Sequence, residues 1–335
     1  MQPSALRAHV LEEALSFCWD SWAQMGISHL TSIRDDRAAD PEALIVFTLD
    51  VARHDPRLFD ELLDWLRTNE RLISVQRLRN LASNDSDRQV VQAALAWVSR
   101  FRRNPRFTRA AEAADADSVP LFPGAEGATW DRDPAFLEHG LVRGTAEPSF
   151  KSRRPDVSQP INLAFRLRLV LGVGSRSEVI RYLLTMPTTE ASVQAIAQAT
   201  AFAKRNVAET LDGLLGAGVV RATTVTSERR YSLDRDAWSR LLLLEPDRLP
   251  GHRDWPQLLR ALGGLLRFLS DPALDELSPY MRASTARDHV ENVERELRIA
   301  GVGIPHGGAA GEEFWPEFVE IVNALLRALR ASVTT

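Results

Sequence analysis

The sequence predicts a mainly α-helical protein with more than one domain and a single small β-hairpin near its middle. Apolar residues recur at intervals of three and four along most of the chain, which is the spacing of one helix face. One short segment instead alternates β-branched residues about a tight turn, as paired strands do. The length of 335 residues favours two or three domains.

Residues 1–110 are predicted to form an N-terminal helical domain. Helices are expected at four places where an apolar stripe begins, and proline is well tolerated in a first helical turn. These places are Asp40, Pro56, Ser74 and Asp87. Four tryptophans are expected in the core of this domain: Trp19, Trp22, Trp65 and Trp97.

A Pro/Gly-rich linker is predicted over residues 111–160 and a C-terminal helical domain over residues 237–335. Seven of the 18 prolines fall between residues 104 and 160, where no sustained periodicity is found. The last helix carries an apolar stripe composed of Trp315, Phe318, Val322, Leu325 and Leu329. A stripe of this kind is usually intramolecular core, and a dimer interface is the alternative.

Residues 161–236 are predicted to form the central domain. Four helical stretches are expected, at 161–171, Ser175–Met186, 192–200 and 203–218. At the second of these, Ser175 and Glu178 have the spacing of a capping box. Two short strands about a turn at Ser227-Glu228 follow, because the residues there alternate and many are β-branched.

The segment from Ser175 to Leu233 resembles the winged helix-turn-helix family, in the broad style of the MarR and ArsR regulators. Apolar residues occupy the positions where the second and third helices of that family pack: Val193, Ile196, Ala197, Val207, Leu211, Leu214 and Leu215. Phe202 follows the turn, and Ala201 stands where the family commonly has glycine. The resemblance covers about 60 of the 335 residues, within a larger chain similar to bacterial regulators.

The resemblance implies that the third helix enters the major groove of double-stranded DNA, while the hairpin, or wing, contacts the backbone or minor groove. The candidate DNA-binding residues are Lys204, Arg205, Asn206, Thr210, Arg229, Arg230 and Tyr231. Asparagine pairs with adenine, arginine pairs with guanine, and first-turn amides favour a phosphate. Glu209 and Asp212 count against this role, because carboxylates repel the duplex. A homodimer is also implied, since such proteins often read two half-sites.

The formal net charge of −4 argues at first against nucleic acid, but the charge is unevenly distributed. Residues 71–109 carry a net +7 and residues 151–234 a net +5, while the other segments are acidic. The second basic segment contains the winged-helix resemblance and supports DNA binding. The arginines of the first either form a second DNA surface or pair with residues 1–70, which carry a net −7. Pairing is the preferred interpretation.

The sequence lacks the motifs that are typical of enzymes, metal sites and membrane proteins. No two of the seven histidines are four residues apart, and no phosphate-binding glycine loop or nucleophile elbow occurs, so no enzyme, metal or cofactor is predicted. The single cysteine, Cys18, fits a reducing cytoplasm, and no apolar run approaches the ~20 residues of a membrane span. We therefore expect a cytoplasmic, sequence-specific transcriptional regulator. The alternative is a protein-interaction module, as in an antitoxin or a defence-system component.

Overall fold

The chain is mainly α-helical in the computed structural model, which confirms the predicted class at that level. The structure describes residues 1–31, 36–102, 104–111, 118–125, 131–244, 249–299, 301–303 and 309–330. Arg103 of the first basic segment lies outside the described residues, as do 112–117 and 126–130 of the predicted linker. No described helix combines the length and the apolar character that a membrane span requires.

Seven α-helices lie before residue 140 in the described part of the chain: α1 (Pro3–Gln24), α2 (Pro41–Val51), α3 (Pro56–Asn69), α4 (Val75–Leu81), α5 (Asp85–Phe101), α6 (Pro105–Ala110) and α7 (Pro134–Leu137). Helices α2 to α5 each begin after a side chain that accepts a first-turn backbone N–H, namely Asp40, Asp55, Ser74 and Asn84. Three of the four expected starts are thereby confirmed. Helix α5 begins two residues before Asp87, because Asn84 caps it.

A short parallel strand pair lies within the segment predicted as a linker. Strand β1 (Val119–Pro120) pairs with β2 (Leu141–Val142). The side chains of Leu121 and Phe136 beside them are fully buried in the same apolar cluster as the N-terminal helices. The described part of this segment is therefore anchored to those helices by side-chain packing.

Nine further helices follow in the described residues: α8 (Leu163–Leu171), α9 (Ser175–Thr185), α10 (Val193–Thr200), α11 (Lys204–Gly216), α12 (Arg235–Leu241), α13 (Trp255–Leu269), α14 (Ala273–Glu276), α15 (Pro279–Ile299) and α16 (Phe314–Arg330). The helical stretches expected over the central segment are all present. Helices α8 to α12 surround their own apolar core, which includes Val179, Ile196, Val207 and Leu211. This second core holds the inner side of α11, so it fixes which residues of that helix are exposed.

The N-terminal and C-terminal helices share one hydrophobic core. Phe17 of α1 stacks on Trp255 of α13 with ring centroids 5.5 Å apart. Of the four tryptophans expected in the core, Trp22, Trp65 and Trp97 are fully buried, whereas Trp19 is half-buried. The stripe of α16 is buried within the same core along its whole length, from Trp315 to Leu329. Of its two interpretations, intramolecular core is therefore confirmed.

Six charged side chains are buried where these two cores meet. We call them the buried charge cluster: Asp40, Glu42, Arg77, Arg168, Glu178 and Arg181, each at most 3% exposed. Three carboxylates face three guanidiniums, so the cluster is neutral. Glu42 accepts from Arg168 at 2.6 Å, and Glu178 accepts from Arg168 at 2.7 Å. Arg77 is ion-paired with both Asp40 and Glu42.

The cluster links the N-terminal helices to the central ones. Asp40 caps α2, and Arg77 lies in α4, whereas Glu178 lies in α9. Burial alone would raise the pKa of Glu178, but the guanidiniums of Arg168, Arg181 and Arg77 lower it well below its ordinary range. The Glu178 carboxylate is therefore ionised at neutral pH. Removal of one partner would leave an uncompensated buried charge, which is strongly destabilising.

Candidate nucleic-acid interface

Three helices and a three-stranded antiparallel sheet form the surface of the central segment. Helices α9, α10 and α11 are followed by the hairpin of β4 (Arg221–Val225) and β5 (Glu228–Ser232). A third strand, β3 (Ala191–Ser192), precedes α10 and pairs with β5, so the strand order is β3-β5-β4. Strand β3 was not expected, because two residues are too few to show alternation. The hairpin turns at Thr226-Ser227, one residue before the predicted position.

The turn between α10 and α11 depends on one residue with a left-handed backbone. Ala201 has φ 54° and ψ 32°, a conformation that normally favours glycine. The turn is tied to α4 by two hydrogen bonds. Arg77 Nε donates to the Thr200 carbonyl and Asn80 Nδ2 donates to the Ala201 carbonyl, both at 2.8 Å. These contacts offset the unfavourable backbone geometry, because a net hydrogen bond contributes about 1 kcal/mol.

Helix α11 presents its predicted base-reading residues to solvent. Lys204, Arg205 and Asn206 are exposed in its first turn, while Val207 and Leu211 pack into the core behind them. This orientation follows from the helical period, which places apolar side chains three and four residues apart on one face. The structure therefore leaves the three polar candidates on the exposed face of the helix.

Acidic side chains share this face. Glu209, one turn after Arg205, accepts from its Nε at 2.9 Å, and both side chains remain more than 60% exposed. On the hairpin, Arg229 and Arg230 are exposed, and the Arg229 guanidinium lies 3.8 Å from Asp212 of α11. Helix α11 and the hairpin together, residues 204–232, contain five basic and three acidic side chains. The exposed face is therefore only modestly basic.

Thr210 has a different environment from the other candidates. Its hydroxyl donates to the Asn206 carbonyl and is hydrogen-bonded to the Ser175 hydroxyl, both at 2.7 Å.

The predicted capping box at Ser175 is wrong, because α9 begins after Gly174 and no side chain caps it. Glu178 cannot act as the reciprocal cap, since its carboxylate is engaged in the buried charge cluster.

Tyr231 is placed in the core by the pairing of β5. It lies opposite Ala191 of β3 and is 3% exposed, packed in the apolar cluster of the central helices. Side chains alternate between the two faces of a strand, so Arg230 points outward where Tyr231 points inward. Of the seven candidate residues, Tyr231 is the one that this arrangement does not present to a ligand.

In the folded protein, several arginines of the basic segments are buried or paired with carboxylates. Arg168 and Arg181, which contribute to the net +5 of residues 151–234, lie in the buried charge cluster. Arg77 of the first basic segment pairs with Asp40 and Glu42, as the preferred interpretation expected for those arginines. Arg100 of the same segment instead pairs with Asp133 at 3.1 Å. Charge counted along the sequence therefore overstates the positive charge available at the surface.

The exposed start of α9 was not predicted from the sequence to be part of the site. The start of α9 lies beside α11, because Ser175 contacts Thr210. Arg176 follows in the first turn of α9 and is exposed. A resemblance based on the third helix and the wing does not point to the first helix, so only the contact between the two helices identifies this neighbour.

Comparison with known proteins does not assign a family to the chain. No family model, no curated protein and no solved structure matches it. Among the described residues, no group of three or more histidine, cysteine, aspartate or glutamate side chains is arranged to hold a metal ion.

Proposed function

We propose that residues 175–232 form a winged helix-turn-helix module that binds double-stranded DNA, and that the protein is a sequence-specific transcriptional regulator. The observation that carries this proposal is the exposed first turn of α11, with Lys204, Arg205 and Asn206, beside an antiparallel hairpin with two exposed arginines. The order of three helices followed by a hairpin and the left-handed turn at Ala201 also support this proposal.

In this proposal, α11 enters the major groove through its N-terminal half. Asn206 pairs with an adenine and Arg205 with a guanine, while Lys204 contacts a phosphate. The wing lies along the flanking backbone, where Arg229 and Arg230 contact phosphates or the minor groove. Because the buried Tyr231 is not available, we leave it out of the proposed contact set.

Arg205 must exchange Glu209 for a DNA partner. An exposed ion pair between residues i and i+4 of a helix contributes only about 0.3–0.5 kcal/mol. A bidentate arginine–guanine contact discriminates by about 1–3 kcal/mol. The guanidinium is 88% exposed and so is free to rotate toward a base. The exchange is therefore favourable, and Glu209 acts as a small penalty against indiscriminate binding.

A homodimer is part of the proposal, because two half-sites in one operator give a small module sufficient specificity. The buried α16 stripe does not provide its interface. Leu169 and Val170 at the end of α8 are exposed apolar residues that lie a few positions before the module, and we place the dimer contact there.

The test is selection of bound sequences from a random duplex pool, followed by gel shifts on the selected DNA. We expect sequence-preferring binding that weakens steeply with salt, because phosphate contacts release counterions. Arg205→Ala and Arg229→Ala should each weaken it about tenfold, the effect of losing one charge-assisted contact. Arg298→Ala, at an exposed arginine of α15, is the matched control and should bind as the wild type does.

Two results would count against this proposal in different ways. The absence of any salt-sensitive, sequence-preferring shift would overturn DNA binding itself. Normal binding by both Arg205→Ala and Arg229→Ala would leave a regulator with a different DNA-contacting surface.

The second candidate function is a protein-interaction module, and the mixed charge of the exposed face favours it. Glu209, Asp212 and Glu228 lie among the arginines of α11 and the wing. Such alternation suits a protein partner with complementary charges as well as a phosphate backbone. A chain that selects no DNA, but binds a protein partner less tightly after Arg205→Ala, would support this function.

A further inference from the structure

A cleft of about 550 Å³ lies where helix α1 ends. We call it the basic cleft. Three parts of the chain line it: six residues between Ala23 and Leu30, Arg57 in the first turn of α3, and Lys151 and Arg153 in the segment before α8. Sites for small organic molecules typically enclose about 300–1,000 Å³, so the basic cleft has the size of such a site.

Hydrogen bonds fix the segment that carries two of these cations. The Arg153 N–H donates to the Gly26 carbonyl at 2.8 Å, and the Arg153 carbonyl accepts from Asn69 Nδ2 of α3 at 3.0 Å. Between the two cations, Ser152 is buried, and its N–H donates to the Asp64 carboxylate at 3.1 Å. The backbone is therefore held against α1 and α3, while the two cationic side chains are exposed beside the cleft.

The close approach of this segment to the end of α1 depends on a glycine. Gly26 has φ 108°, which lies in the region that side chains other than glycine rarely adopt. A Cβ atom at this position would lie 2.6 Å from the carbonyl oxygen of Arg153, which is too close for a real contact. Any other residue at position 26 would therefore displace Arg153 from the cleft.

Arg57 supplies the third cation of the lining. Its guanidinium lies 5.2 Å from the centroid of the Trp19 ring, which is within the range of a favourable cation–π contact. The same ring contacts His29, a further lining residue, with centroids 4.7 Å apart. Trp19 therefore positions both Arg57 and His29 at the edge of the cleft.

The cleft carries an excess of positive charge. Arg57, Lys151 and Arg153 are cationic, and none of the described residues in its lining is acidic. Glu61, one turn after Arg57, interacts electrostatically with Arg57 and Lys151, yet burial and the neighbouring Asp64 raise its pKa. Three cations therefore face one carboxylate whose own charge is disfavoured, which suits the cleft to an anion.

The remaining lining is apolar. Ala23, Ile27 and Leu30 contribute to it, and the side chain of Leu30 is almost fully exposed. Apolar side chains next to convergent charged groups favour a ligand that has an organic body as well as an anionic group.

We propose that the basic cleft binds an organic diphosphate, of which a nucleoside diphosphate is the simplest example. Such a diphosphate carries about three negative charges at neutral pH, which matches the three cations. Arg57 and Arg153 bind its oxygens through their planar guanidiniums, Lys151 binds as a point charge, and the organic body lies against Leu30. None of these residues belongs to residues 175–232, so the site does not rest on DNA binding.

The experiment is a calorimetric titration of the full chain with ADP, without metal ions or DNA. We expect saturable binding with one site per chain, weakened about tenfold by Arg57→Gln or Arg153→Gln, the effect of losing one charge-assisted contact. Glu61→Gln should strengthen binding, because it removes a negative charge beside the site. Arg298→Gln, at an exposed arginine of α15, is the matched control and should leave the affinity unchanged.

Inorganic pyrophosphate and adenosine separate the two parts of the ligand. Pyrophosphate should bind, and adenosine, which has no charge, should give no saturable heat. Leu30→Ser should weaken ADP binding about fivefold by removing an apolar contact, and should leave pyrophosphate binding unchanged.

The absence of saturable heat at millimolar ADP overturns the site. Unchanged ADP affinity in both Arg57→Gln and Arg153→Gln also overturns it, because the phosphates then bind elsewhere. Equal effects of Leu30→Ser on ADP and on pyrophosphate overturn the assignment of an organic ligand. If ADP does not bind but both arginine variants weaken DNA binding, the cleft is a nucleic-acid contact and the proposal fails.

Discussion

Glu178 has a different role in the folded protein from the one its place near a helix start indicates. A glutamate three residues after a serine is typical of a capping box. In the structure its carboxylate instead accepts from Arg168 and Arg181 inside the protein. The free energies of the two arrangements explain why Glu178 is in the cluster. A cap contributes about 1 kcal/mol, whereas an uncompensated buried charge costs about 3–5 kcal/mol.

Glu178→Gln should lower the free energy of unfolding by about 3–5 kcal/mol at neutral pH, because it leaves three buried guanidiniums facing two carboxylates. Urea denaturation of both proteins measures the difference. Glu209→Gln is the matched control, since it changes the same residue type in an exposed ion pair, where about 0.5 kcal/mol or less is expected.

In the wild-type protein, acidification should weaken the same interaction and so lower the free energy of unfolding. The pKa of Glu178 is lowered on folding, so its contribution is complete above its ordinary value of about 4.5 and is lost progressively as pH falls below that value. Glu178→Gln should therefore lose less stability on acidification than the wild type does. An equal acid dependence in the two proteins would show that this carboxylate is not held ionised by the cluster.

The helix–turn–helix of α10 and α11 is an element whose geometry is set by one backbone conformation. Alanine in a left-handed conformation is unfavourable by about 1 kcal/mol, yet the two hydrogen bonds from Arg77 and Asn80 keep the turn closed. The turn is thus held in part by α4, which lies more than a hundred residues earlier in the chain. Its shape is a property of the packed protein as well as of the local sequence.

Ala201→Gly should raise the free energy of unfolding by about 0.5 kcal/mol. Relief of the left-handed strain outweighs the greater flexibility of glycine in the unfolded chain. Thermal or urea denaturation measures the change. Ala208→Gly, within α11, should instead destabilise by about 1 kcal/mol, because a helix interior disfavours glycine. Destabilisation of equal size at both positions would mean that Ala201 is not strained.

On the scale of the whole molecule, two hydrophobic cores are joined by charged residues. The first core contains helices from both ends of the described chain, and the second contains α8 to α12. The buried charge cluster lies between them and draws its carboxylates from both sides. Neither core can separate from the other without leaving unpaired charges, which makes independent unfolding unfavourable.

We therefore expect the full chain to unfold in a single cooperative transition. Far-UV circular dichroism follows both cores, whereas tryptophan fluorescence is dominated by the first core, which includes Trp22, Trp65 and Trp97. The two signals should give the same midpoint in urea. Two resolved transitions, with the fluorescence change confined to one of them, would show that the cores unfold separately.

The sequence predicted helix positions well because their signals are local. Asp40 and Ser74 cap the helices that follow them, and the apolar periodicity of α11 places Val207 inward and Arg205 outward. It did not predict β3, which is only two residues long, or the burial of Tyr231, which follows from its pairing with that strand. Pairing partners distant in the sequence leave no local periodicity to detect.

What the sequence by itself determined is the mainly helical class, most helix starts and the exposed cations of α11. Only the tertiary structure decided which charges remain at the surface. Arg77 and Arg168 belong to segments of positive net charge, but both are buried in ion pairs with Glu42, which lies 35 residues before Arg77 and 126 before Arg168. A buried cation requires a partner at contact distance, and folding supplies it from positions far apart in the chain.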